Sequence, residues 1–276
     1  MLNQIGPKIM SSFLLYVDHT ILSAGQAFTN YSGLLYPISS QFAGFNTYST
    51  PFRQLVSDVS VTGANIMSGI YSGSVFITPG ASGLSGIDIN NGLALFSVLA
   101  SNISGRYAVK DFNIYLNDRP EETLLFETKL YLRPKTPQTL TGLPQTVETY
   151  PCIYLRQTTS EPVSLCFGNV NNYVTNIRAT ILADSKYSLD NVRSFLETNM
   201  KMQKFKLIDY TALPFNNFGA YTGVNYNYNN LAAQSSLESC IWRVRGSDLR
   251  SAQALNNLNP AVFAAFVDFE ISTIAG

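Results

Sequence analysis

Charge is what this chain has least of: charged residues fill 13% of its 276 positions, about half the roughly 25% of an ordinary soluble domain. A freely diffusing enzyme relies on interspersed charge for solubility, so the shortage points away from that class. The balance is also neutral, with 18 basic and 18 acidic residues, and gives no global field to draw in nucleic acid or an anionic membrane. Histidine occurs once, as His19, so every Ser-His-Asp or Cys-His mechanism would have to run through that one ring. Cys152, Cys166 and Cys240 are odd in number and far apart, which fits buried reduced thiols rather than a disulfide framework or a zinc site. Long apolar runs are missing too. The stretch Phe13 to Val17 is interrupted by Asp18 and His19, too short for a secretory core and far from the roughly 20 residues that span a bilayer. No membrane insertion is expected, and the chain reads as soluble and made in a cytoplasm.

What replaces charge is Asn, Ser, Thr, Gly and Tyr, on an apolar content of 46%. Neutral polar and aromatic surface costs little to desolvate against another protein. The expectation is therefore a protein that ends up covered by partners.

The pattern along the chain predicts an α+β fold that is predominantly β: an antiparallel β-domain over 1–132, a Pro/Thr-rich linker over 133–151, and a mixed sheet carrying one main helix over 152–276. Residues 11–132 read as short strands without helical period. Ile70 to Phe96 reads as one antiparallel unit, with a tight turn at Ser72-Gly73, a broad loop at Pro79-Gly80 and Gly83, and a hairpin turn at Asn91-Gly92. Arg106 to Leu116 reads as a single strand. Four prolines in 133–151 mark the boundary. Beyond it, Cys152 to Leu155, Ile177 to Ala183, Cys240 to Arg245 and Val262 to Ile271 read as strands. In the last of these Phe263, Ala265, Val267, Phe269 and Ile271 share the inner face. Tyr187 to Met202 is the one clear helix: Leu189, Val192, Phe195, Leu196 and Met200 form a stripe, and Ser185 or Ser188 can cap it.

Motifs for chemistry are few. With His19 read on a strand edge, Asp18 points away from it, and no G-x-S-x-G elbow supplies a nucleophile. Asp58, Asp88, Asp111 and Asp118 are candidate paired carboxylates only if the fold brings two together, and read more simply as turn and edge residues. There is no D-x-D-x-D-G, H-E-x-x-H or C-x-x-C pattern, and Gly80 to Gly83 lacks the lysine and helix of a phosphate cradle. No enzyme activity, cofactor, metal or small-molecule substrate is expected. Two features remain. Phe215 to Asn230 is built of Asn, Tyr, Phe and Gly; it reads either as an arm docking on another subunit through Phe215, Asn216, Asn217, Phe218, Tyr221, Tyr226 and Tyr228, or as a loop folded on its own domain. Lys201, Lys204 and Lys206, with Arg243, Arg245 and Arg250, form basic groups that either line a channel for nucleic acid or are ordinary solvated charges.

The series IYSGSVFITPGASGLSGIDINNGLALFS and YAVKDFNIYL, followed by TYPCIYLRQ, IRATILADSKYSLDNVRSFLETNMK and VFAAFVDFEIS, resembles virion structural proteins of tailed bacteriophages, of the head-to-tail connector, neck or tail-completion type. The likeness is one of pattern across most of the chain and rests on no invariant motif. It implies a homo-oligomeric ring of about six or twelve copies, contacts with other virion proteins, non-specific DNA contact in a lumen, and a place in the virion. It carries over no functional residues, and the N-terminal β-domain exceeds what a minimal tail-completion protein needs. A second expectation is a receptor- or glycan-binding module in which Tyr31, Tyr36, Tyr48, Tyr71 or the Tyr-rich loop stack on sugars. A third is a β-rich glycosidase or depolymerase.

Overall fold

Strands of 11 to 13 residues carry the largest sheet: β10 (Cys152–Ser164), β11 (Asn171–Ala183), β13 (Glu238–Asp248) and β14 (Phe263–Ala275). Two short strands, β9 (Asn113–Leu116) and β12 (Lys204–Lys206), complete a six-stranded sheet in the order β12-β13-β14-β11-β10-β9. The structure is a computed structural model that describes residues 5–38, 44–52, 54–117, 150–164, 171–209, 214–216, 221–249 and 262–275. It is predominantly β with three helices among those residues, an α+β arrangement. Most of the linker over 133–151 lies outside the described residues, as does Asp118.

Alternation along the long strands sets the main core. Ile177, Ala179, Ile181 and Ala183 of β11 and Ala265, Val267, Phe269 and Ile271 of β14 are buried on one face, as their period of two requires. Phe263 departs from the expected pattern: it is 38% exposed, because the inner set begins only at Ala265. The predicted helix is α2 (Lys186–Asn199), capped by Ser185, whose hydroxyl accepts the Ser188 N–H at 3.1 Å. Its Leu189 and Leu196 pack on this face.

The largest correction concerns residues 5–24. Read as strand territory, they form the helix α1 (Ile5–Ala24), with Pro7 in its first turn where a missing N–H is tolerated. Ile9, Phe13, Val17 and Ile21 lie against the sheet core, and the Phe13 ring meets Phe269 edge-on at 5.0 Å and Phe205 at 5.6 Å. The opposite side is buried as well, with Leu15 against Phe215, Tyr226 and Tyr228. A helix covered all round has no polar stripe to betray its period. It stops at Gly25, whose N–H reaches the Ile21 carbonyl at 3.1 Å, and where a Cβ would come within 2.6 Å of that oxygen.

Two four-stranded sheets make a smaller sandwich. One has the order β1-β8-β4-β5 and the other β2-β3-β7-β6, from β1 (Phe28–Leu34), β2 (Tyr36–Pro37), β3 (Asn46–Ser49), β4 (Ile70–Ser72), β5 (Val75–Ile77), β6 (Leu84–Asp88), β7 (Leu93–Phe96) and β8 (Ile103–Lys110). The turns at Gly73 and Gly92 take positive φ, +61° at each, as hairpin glycines do. The Ile70 to Phe96 unit is nevertheless divided: β4-β5 joins one sheet and β6-β7 the other, around a shared core that includes Ile70, Ile77, Leu84 and Phe96. Arg106 to Leu116 is likewise two strands. After β8 the chain turns at Asp111 and Phe112, buries Phe112 in the main core, and enters the six-stranded sheet as β9, parallel to β10.

Candidate functional site

The densest polar chemistry lies where α1 meets the loop before β4, the end of β8 and the segment around 226. Asp18 sits on the last turns of α1 and is 3% exposed. A buried carboxylate needs a partner, and Lys110 supplies it from β8, its Nζ at 2.6 and 2.7 Å from the two oxygens. The Tyr226 hydroxyl adds a longer contact to Oδ2 at 3.4 Å.

His19, the next residue, is on a helix and not on a strand edge, and its Nδ1 lies 2.6 Å from Oδ2 of Asp58. Asp58 heads a turn, as expected, with the Val61 N–H donating to its carbonyl at 3.3 Å, but it is wholly buried and not on the surface. Its other oxygen accepts from the Ser60 hydroxyl at 2.6 Å, the Ser60 N–H at 2.9 Å and the Tyr228 N–H at 3.1 Å. Burial pushes the Asp58 carboxyl up, but hydrogen bonds from His19, from the Ser60 side chain and from the Tyr228 and Ser60 amides outweigh it and hold the group below its usual range. The Tyr228 ring stacks on the imidazole at 4.4 Å between centroids. His19 is thus tied by one nitrogen and covered on one face, an arrangement that fixes the ring as a structural link between α1 and the segment that follows residue 221.

That segment is held by its backbone as well. Val59 N–H donates to the Tyr226 carbonyl at 2.7 Å and Tyr226 N–H to the Ser57 carbonyl at 2.9 Å, while the hydroxyls of Ser57 and Tyr221 share a hydrogen bond. The helix α3 (Tyr228–Gln234) then starts with Asn227 as its cap. Of the residues expected to contact another subunit, Phe215, Tyr226 and Tyr228 are buried within their own chain and Tyr221 packs against the same cluster. They are internal anchors, since a large ring beside α1 gains more from burial there than it would in solvent. Asn216 is exposed, and Asn217 and Phe218 lie outside the described residues. Burial pushes the Tyr226 hydroxyl far above its usual range, with Asp18 and Tyr221 adding to the shift.

The other grouping of charge is on the outer face of the six-stranded sheet. Register places Arg245, Asp268, Arg178 and Arg156 in one row across four strands, and Arg243, Glu270 and Asn176 in the next. Arg178 grips Asp268 through Nε at 2.6 Å and Nη2 at 3.0 Å, and Arg243 meets Glu270 at 3.4 Å. A cleft of about 290 Å³ opens here, lined by Arg178, Arg243, Arg245, Asp268, Glu270 and Thr159. Arg250 lies outside the described residues. Lys204 and Lys206 stand on β12 and share Glu238, at 3.6 and 2.7 Å, while Lys201 is exposed in the turn after α2. The structure therefore gives two of the lysines a carboxylate and sets their strand beside β13, which carries Arg243 and Arg245.

The tyrosines expected to stack on sugars divide. Tyr48 is buried, its hydroxyl bound to the Ala100 carbonyl at 2.6 Å, and Tyr31 packs on Phe52. Tyr36 is half-buried. Tyr71 is half-buried beside Phe76, with the Arg106 guanidinium 5.6 Å from its ring centroid. Asp88 holds Asn91 in its hairpin turn and Asp111 accepts from Thr29. Cys152 is buried, Cys240 is half-buried, and Cys166 lies outside the described residues. Among the described residues no helix is long and apolar enough to cross a membrane, and no three His, Cys, Asp or Glu side chains converge as metal ligands.

Sequence reasoning missed Asp18, Lys110, Asp58 and Ser57 as a group. The available signal was Asp18-His19 interrupting an apolar run, since charges set in a buried element bring their partners with them. The chain matches no protein-family model and no curated protein.

Proposed function

We propose that the chain is a non-enzymatic structural subunit that acts through protein–protein interfaces, as part of a ring at the neck, tail or baseplate of a tailed-phage virion. The observation that carries the interface reading is Trp242. It is the chain's one tryptophan, sits at the register irregularity between Ile241 and Arg243 of β13, and is 55% exposed; Met202, whose N–H donates to the adjacent Ile241 carbonyl, is 57% exposed. Tryptophan is highly buried on average, and Trp and Met are enriched where proteins meet. The buried charged cluster supports the same reading from the other side, because its His19 and Asp58 are bound into the fold. The virion setting rests on the resemblance of the sequence segments quoted above. In such a ring, DNA in the lumen would compete with Glu238 for Lys204 and Lys206.

A single tryptophan makes the test direct. Light scattering across a concentration series should show closed oligomers, with Trp242 emission shifting to the blue as they form, and Trp242→Asp should leave folded monomers. A chain that remains monomeric when concentrated, with unchanged emission and no partner captured from disrupted virions, overturns the proposal.

A second reading, a receptor- or glycan-binding module, is favoured by one observation, the Tyr71 and Phe76 rings lying 5.1 Å apart with Arg106 over Tyr71 and Phe76 46% exposed. Saturable binding on a glycan array, lost in Tyr71→Ala, would establish it.

A further inference from the structure

The edge of β13 is paired over only part of its length. β12 covers Glu238 to Cys240, and Gln203 and the Met202 N–H meet Ile241. From Arg243 to Asp248 the strand keeps regular register with β14 on one side, and among the described residues no backbone partner lies on the other. An unpaired edge of this kind is a template for another strand. The edge is also charged in a particular way. Arg243 and Arg245 are two residues apart and both exposed, so they stand on the same outer face about 7 Å from each other. Arg243 has one long contact to Glu270, and Arg245 has no ion pair among the described residues. The inner side is fixed from within: Arg193 on α2 bonds both Glu197 and Asp248, and a Cβ on Gly246 would collide with Glu197.

We infer that the Arg243–Asp248 edge receives an extended acidic segment of a partner protein, which adds a strand to the six-stranded sheet and sets alternate carboxylates opposite Arg243 and Arg245. The spacing decides the kind of partner. An extended strand repeats its side chains at the same interval as β13, so acids at alternate positions meet both arginines at once, at cross-strand contact distance. Nucleic acid fits less well, because Asp268 and Glu270 stand in the same cleft and would repel a continuous run of phosphates, whereas a strand can set its acids only opposite Arg243 and Arg245. Pairing with the same edge of a second copy, centred on Val244, would place Arg243 against Arg245, a like-charge contact that disfavours it. The inference rests on the reading of the chain as an interface-bearing subunit and names one surface for it.

The test uses the whole chain and synthetic peptides: one alternating Glu and Thr, its Lys-for-Glu counterpart, and a Glu peptide of equal charge broken by prolines. The alternating Glu peptide should slow hydrogen exchange between Arg243 and Asp248, shift the emission of neighbouring Trp242, and bind more weakly as salt rises. Arg243→Glu/Arg245→Glu should weaken it by about tenfold or more and turn the preference toward the Lys peptide. Equal binding of all three peptides, or binding without protection of that stretch, overturns the inference. If the chain assembles while the Glu peptide leaves β13 unprotected, this inference falls and the assembly reading stands. If the peptide protects β13 in a chain that never associates, the reverse holds.

Discussion

The cluster around Asp18 and the rim around Arg245 use the same kinds of side chain to opposite ends. At Asp18 each charge meets a partner from a distant part of its own chain, Lys110 across 92 positions and, for the neighbouring His19, Asp58 across 39. At Arg245 the strand has no backbone partner on its outer edge among the described residues, and its guanidinium groups are exposed. In a chain this poor in charge, position decides role: ions placed inside hold elements together, and ions left on a rim are available to something else. Substitutions in the first place should therefore cost stability, and in the second association.

The largest effect is expected for Asp18→Ala. It leaves the Lys110 ammonium buried without its carboxylate, and breaking a buried pair from one side costs about 3–5 kcal/mol. Denaturant unfolding would measure it. Asp18→Leu with Lys110→Met removes both ions and should recover most of the loss. If the single variant unfolds at the wild-type midpoint, the cluster is not what fastens α1.

Tyr228→Ala should come next, at about 3 kcal/mol for loss of a buried ring. Hydrogen exchange should then rise first in 221–234, because the ring ties that segment to His19. This contact shows where legibility ended. The composition of Phe215 to Asn230 marks an aromatic loop, and both a docking arm and a self-folded loop satisfied it. What decided between them was Asp58, 170 positions away from Tyr228, and nothing local to either residue announces such a pairing. By contrast α2 with its Ser185 cap, the long strands and the glycine turns were legible, because each depends on neighbours within a few positions. Helix α1 was not, since burial on both sides erased its period. The division of Ile70 to Phe96 between two sheets was also hidden, as a hairpin's sequence fixes its turn and not the sheet it joins.

Titration should report on the interior cluster with a smaller effect. The folded Asp58 carboxyl lies below its ordinary range, so its contribution to stability is complete above about pH 4 and is lost as pH falls through the lower folded value. Tyr226 is shifted the other way. Its contribution is complete below about pH 10 and is lost as pH rises toward the folded value. Denaturation midpoints across pH should fall at both extremes, Asp58→Asn should flatten the acid limb, and phenolate absorbance from Tyr226 should appear only with unfolding. An acid limb unchanged in Asp58→Asn would place the acid sensitivity elsewhere.

The smallest effect on stability belongs to Arg245→Ala. The side chain is exposed, bonds nothing among the described residues, and sits on a strand whose inner face is held by Val244 in the core and by Arg193 on Asp248. Surface positions of this kind change stability by no more than about 0.5 kcal/mol. The unfolding midpoint should therefore match the wild type while association, read by light scattering and Trp242 emission, weakens and loses part of its salt dependence. A marked loss of stability would mean that Arg245 is tied into the fold as Lys110 is, and the contrast between a fastening interior and an available rim would no longer hold.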